Sequence, residues 1–197
     1  MYLTEMQKSA LSEAANIGSG HAAIALSKLM NRKIMIAIPS VEVMAIDVLA
    51  GSMDKLSEYL LLNTGISGDI RGHISFFMKN DYARHLVSLM PVLKERGKED
   101  VNAYELSVIS EVGNIVLAAY LNSLSELAGL KFNITSPNIF RGNLSDISLS
   151  LKTSGKGMDE VICIKTEFMQ LDAKIEAYIV FSPSKDSVDT LLYSLKA

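Results

Sequence analysis

The chain has 197 residues, with 22 acidic against 19 basic side chains for a net charge of −3, 49% hydrophobic and 21% charged residues. That balance excludes wholesale disorder and gives enough chain for a substantial core. No Lys/Arg block marks a nucleic-acid footprint, and one cysteine, Cys163, excludes a disulfide framework or a multi-cysteine zinc site and fits a reducing compartment.

The opening MYLTEMQKSALSEAANIG lacks a basic segment followed by an apolar run, so no secretory leader is expected. No stretch reaches the roughly 18 uninterrupted apolar residues of a spanning helix. The expectation is a cytoplasmic protein without membrane insertion. A long helix is predicted over 4–30, then a short β-like segment over 33–38 ended by Pro39 and a second strand over 41–46. Strands at 59–64 and 70–78 follow, with Gly65, Gly68 and Asp69 suited to the turn between them, then a helix at 81–90. PVLKERGKED at 91–100 reads as a linker. The order then recurs: a helix over 102–128, a β-like segment over 131–135 before Pro137, and a less regular strand near 139–151. Strands at 161–168 and 173–181 follow, turning at Gln170 to Asp172, and a last helix spans 185–195.

The recurrence extends to residues. At a constant offset of 98, Ser9, Ser12, Glu13, Asn16, Ile17, Leu26, Ser27, Leu29, Lys33 and Pro39 meet identical residues, from Ser107 to Pro137. These ten ungapped coincidences imply an internal duplication. The chain is therefore expected to form one domain over 1–197, from repeats 1–90 and 101–197, with pseudo-two-fold symmetry. The fold class expected is α+β.

At about 100° per residue, Ser9, Glu13 and Asn16 lie within about 60° of one another on the first helix, opposite an apolar seam through Leu11, Ala14, Ala15, Gly18, Ala22, Ala25, Leu26 and Leu29. Ser107, Glu111 and Asn114 repeat the stripe opposite Ile109, Val112, Val116, Tyr120, Leu124 and Leu127. Surface helices carry Glu and Ser routinely, but Asn is a poor choice in mid-helix because its amide competes for backbone hydrogen bonds. An amide and a carboxylate make no nucleophile–base pair, and no Ser/His/Asp triad suggests itself. They can orient a water or hold a cation. A convex helix offers no pocket, so the reacting centre must come from a partner. Phosphoryl hydrolysis suits such an arrangement, since it needs mainly a placed water and placed charge.

The spacing S-x3-E-x2-N-x22-P occurs twice, as Ser9, Glu13, Asn16, Pro39 and as Ser107, Glu111, Asn114, Pro137. It resembles the signature of the CheC/CheX/FliY family of chemotaxis phosphatases, over essentially the whole chain. Two motifs in a chain of this length match the two-motif branch best. The resemblance implies a central, mainly antiparallel sheet flanked by the two motif helices. It implies hydrolysis of the aspartyl phosphate of the response regulator CheY, with Asn16 and Asn114 orienting water and Glu13 and Glu111 pairing with a regulator lysine. Ser9 and Ser107 would support the helices or the contact, and Pro39 and Pro137 the turn after the first strand. No cofactor of its own is implied, since the Mg²⁺ would belong to the regulator. The deamidase CheD is an implied second partner. The alternative is an adaptor that binds phospho-CheY or CheD without hydrolysis.

Other patterns carry less. Gly18-Ser19-Gly20-His21-Ala22-Ala23 fits a dinucleotide fingerprint but falls inside a helix, where small residues suit close packing. His21, His73 and His85 lack metal-ligand spacing. Cys163 lies in an apolar strand and reads as core.

Overall fold

A computed structural model describes residues 3–90, 101–154, 159–170 and 173–195; the expected linker at 91–100 and the turn residues 171–172 lie outside them. The first helix, α1 (Glu5–Met30), starts where Thr4 closes a capping box. The Gln7 amide donates to Thr4 Oγ1 at 3.2 Å and the Thr4 amide to Gln7 Oε1 at 2.9 Å. It stops at Asn31, held in the left-handed region at φ 49°. Leu11, Ala14, Ala15, Gly18, Ala22 and Leu26 are buried, as the seam requires. Its counterpart, α4 (Val101–Ala128), runs against it. The crossing is close: a Cβ on Gly18 would stand 2.9 Å from Tyr120 Cα and 3.1 Å from the Ala119 carbonyl oxygen. Gly18 therefore serves close packing. Gly20 does not, because a Cβ there meets nothing within 4 Å.

The strands are β1 (Met35–Ala45), β2 (Tyr59–Gly68), β3 (Gly72–Lys79), β4 (Phe132–Ile134), β5 (Asn138–Gly142), β6 (Glu160–Gln170) and β7 (Ala173–Pro183). They form one seven-stranded sheet in the order β1-β6-β7-β3-β2-β4, with β5 also on the outer edge of β2. Every described pairing is antiparallel. Exchanging β1 for β4 and β5, β2 for β6 and β3 for β7 returns the same order read from the other edge. The centre is the β3–β7 pair, with Phe76 opposite Ile179.

Strand alternation divides the core between the two faces. Leu62, Phe76, Ile162, Ile179 and Phe181 pack under α1 and α4. Leu61, Phe77, Cys163 and Val180 face the other way, under α2 (Ile46–Gly51) and α5 (Leu144–Ser154). Coverage on both faces explains the unbroken apolar runs at 59–62 and 74–78. Helices α3 (Asn80–Ser88) and α6 (Lys185–Ser194) close the two hairpins. Gln7 Nε2 donates to the Leu192 carbonyl at 2.7 Å, tying the start of α1 to α6.

Three expectations are corrected. The segments 33–38 and 41–46 are one strand, β1, with a register shift between Ala37 and Ser40. Pro39 sits at that irregularity of an edge strand, where its missing N–H breaks no essential ladder bond, and it ends nothing. Pro137 does fall in a break, between β4 and β5. The strand expected near 139–151 stops at Gly142, because Asn143 starts α5: its Oδ1 accepts from the amides of Ser145 at 2.8 Å and Asp146 at 3.1 Å. Gly65 lies inside β2, and the turn follows Gly68 at φ 117°.

The stretch Ala103–Ala128 is long and apolar enough on average to cross a membrane, although no uninterrupted apolar run exists; half of its most apolar window is buried within the fold. It is the core helix of this sheet.

Cys163 is buried at 3% exposure, and desolvation, with Glu42 adding, pushes its thiol up to about 12. Desolvation pushes the Tyr178 phenol to about 12 as well. Both groups hold their protons more tightly folded than unfolded, so their contribution is complete below the unfolded thiol value of 9.0 and drains away as pH rises toward 12. Urea unfolding stepped upward from pH 7 is expected to show stability falling above about pH 9, and a thiol reagent at pH 8 to label Cys163 only after unfolding.

Candidate functional site: two exposed polar stripes

The solvent-facing sides of α1 and α4 carry the motif residues. Ser9, Glu13 and Asn16 are exposed on α1; Ser107 and Glu111 are exposed on α4, and Asn114 is half-buried. Glu and Asn three residues apart stand on the same face, with Cβ atoms about 5–6 Å apart. Each serine lies one turn before its glutamate. Both sites sit in mid-helix, so the backbone is satisfied by the helix ladder and the side chains are not needed as caps. No described residue hydrogen-bonds or pairs with the side chains of Glu13, Asn16, Glu111 or Asn114; the Asn16 carbonyl accepts from Ser19 Oγ at 2.7 Å.

The clefts lie elsewhere. One of about 760 Å³ runs between α2 and α5, past Asp47 and Lys152. One of about 400 Å³ lies at the start of β3, beside Arg71 and Ser182. A third, of about 260 Å³, opens beside Asp54 and Lys79. No motif residue lines any of them. Among the described residues no group of three His, Cys, Asp or Glu is placed to hold a metal. Pro39 in β1 and Pro137 between β4 and β5 are remote in sequence from the stripes and add no polar group to them.

The chemistry available is limited and specific. Each stripe offers one carboxylate, which accepts or attracts a cation, and one amide, which donates and accepts. Neither contains an activated nucleophile, and among the described residues neither stripe is enclosed so as to exclude water, although Asn114 is half-buried. Sequence reasoning found these residues but not their surroundings on α1. Met6, Ile17 and Ile24 are 64%, 40% and 58% exposed. Their helical spacing places them on the same face as Glu13, with Ile17 one turn away, a signal the sequence already held.

Comparison with known proteins fits this arrangement. The family described as chemotaxis phosphatase CheX matches residues 61–163, which contain the second motif helix. The CheC-like family matches residues 6–43, which contain the whole first motif. The Bacillus subtilis (strain 168) CheY-P phosphatase CheC is 26% identical over 207 residues, spanning 99% of this chain and 96% of that protein. The flagellar motor switch phosphatase FliY of the same organism is 24% identical over 99% of this chain, which spans 52% of FliY. The crystal structure of Thermotoga maritima FliY superposes with a TM-score of 0.80 at 23% identity, covering 100% of this chain and 98% of that one. With one family profile covering more than half its length and a mixed fold shared with FliY, the chain belongs to the CheC/CheX/FliY family of chemotaxis phosphatases.

Proposed function

We propose that this chain is a CheY-P phosphatase, hydrolysing the aspartyl phosphate of the response regulator through side chains presented by α1 and α4. The observation that carries the reading is the two unpartnered Glu–Asn sets, exposed on α1 and with only Asn114 half-buried on α4, away from the clefts described. Residues so placed act on something that docks against them. The regulator brings the phosphoryl group and its Mg²⁺. Asn16 or Asn114 then hydrogen-bonds an attacking water, its amide oxygen accepting or its NH2 group donating, and fixes it in line with the phosphorus. Glu13 or Glu111 pairs with a lysine of the regulator and holds the two proteins in register. Positioning of this kind is most of what phosphoryl hydrolysis asks of a protein. Ser9 and Ser107, one turn earlier, support the contact. The protein works in the cytoplasm, and CheD is a second partner by family resemblance. The ten matched residues and the sheet order that reads alike from both edges support an origin by duplication, with a working site in each half.

The direct test is decay of phosphorylated CheY from the same organism, with and without this protein and with and without CheD. Accelerated decay is expected. Decay at the intrinsic rate under both conditions would remove the enzyme reading and leave an adaptor that binds phospho-CheY or CheD.

A further inference from the structure

The two stripes surround the same residue pair with different neighbours. On α1, Met6, Ile17, Gly20 and Ile24 all fall within about 60° of Glu13 around the helix. The three apolar side chains are 64%, 40% and 58% exposed. At the offset of 98, their α4 counterparts are Tyr104, Ile115 and Asn122. Tyr104 and Ile115 are half-buried and pack on the core, and Asn122 is polar. Asn114 is half-buried where Asn16 is exposed. Gly20, one turn beyond Asn16, corresponds to Ala118. Gly20 is exposed, has no positive φ, and a Cβ there would meet nothing within 4 Å. A glycine in mid-helix weakens the helix, and no packing contact of this chain requires this one.

We infer that α1 is the principal seat of the phosphorylated regulator and α4 the lesser site. Met6, Ile17 and Ile24 form an apolar line along the helix face that carries the amide and carboxylate, and Gly20 leaves room for the partner's backbone to come down to Asn16. This rests on the phosphatase reading above. The occupant is a receiver domain offering an aspartyl phosphate with its divalent cation, an ammonium group for the unpaired Glu13 carboxylate, and an apolar margin for that line. These four α1 residues are positioning residues: they set the approach and take no part in the bond changes.

The experiment compares full-length variants in phospho-CheY decay, and in binding to CheY loaded with beryllofluoride as a stable phosphoryl mimic. Asn16→Ala is expected to cost more than about tenfold in kcat/KM and Asn114→Ala less than about a tenth of it, since the two sites add. Gly20→Leu should keep or raise the melting temperature, because the site is open, yet weaken binding and lower kcat/KM by about tenfold. Ile17→Ser/Ile24→Ser should act through KM, with kcat within about twofold of wild type. Leu149→Ser, an equally exposed apolar residue on α5, should change neither readout. A larger loss from Asn114→Ala than from Asn16→Ala, or wild-type binding by Gly20→Leu, would overturn the assignment while leaving the phosphatase standing. If the wild-type protein accelerates nothing, the functional reading has failed, and the seat is then decided by the Gly20→Leu binding constant alone.

Discussion

The double variant Asn16→Ala/Asn114→Ala is expected to leave phospho-CheY decaying at its own rate, a loss of roughly 10² or more in catalysed rate. Asn16 is exposed and Asn114 half-buried, and neither amide is hydrogen-bonded by a described residue. Their removal therefore strands no hydrogen-bond partner among the described residues. Alanine is the better helix former by about 0.5 kcal/mol per position, so stability should hold or rise slightly. A loss of activity then cannot be assigned to unfolding. Binding to beryllofluoride-loaded CheY separates the two roles open to the amides. Glu13 and Glu111 remain in the variant, so affinity should fall by no more than a few fold if the amides act mainly on water. Affinity falling in step with rate would mark them as contact residues, and the orienting role would be withdrawn.

The closing helices were legible from their amphipathic pattern, the hairpins from apolar runs flanking turn residues, and the long helices from the motif and apolar seam that both copies repeat. The direction of Glu13 and Asn16 was legible for the same reason: helical geometry fixes which residues share a face once the apolar seam is known. What was not legible depended on neighbours distant in the chain. Pro39 reads as a strand end, yet β1 continues through it because it is an edge strand and a shift in its register with β6 absorbs the irregularity. The segment LSDISLSLK alternates polar and apolar residues and reads as a strand, but Asn143 caps it and Ile147 and Leu151 meet the second face of the sheet as a helix. Gly18 and Gly20 look alike in sequence. Only the arrival of α4 about a hundred residues later makes one a packing contact and leaves the other open.

That difference gives the second large effect. Gly18→Leu is expected to destabilise the protein by about 2 kcal/mol net. A Cβ at Gly18 would lie 2.9 Å from Tyr120 Cα and 3.1 Å from the Ala119 oxygen, and both are backbone atoms of α4 that no rotamer change can clear. The helices must separate, at an overpacking cost of about 3 kcal/mol. Replacing a mid-helix glycine returns about 1 kcal/mol. Against a total of about 5–15 kcal/mol the residue is a large share. Urea unfolding should show a lower midpoint with an unchanged slope, the signature of lost stability without a change in exposed surface. The effect on activity follows from where the contact lies. Gly18 is on the buried seam, opposite the stripe, so the Glu13–Asn16 spacing within α1 survives helix separation. Specific activity per folded molecule should stay within about twofold of wild type at low temperature, and should collapse at a lower temperature than wild type does. Gly20→Leu should behave in the opposite way, stable but slow. If Gly18→Leu instead lost activity while fully folded, the two stripes would have to be read as one composite site whose geometry depends on the α1–α4 spacing.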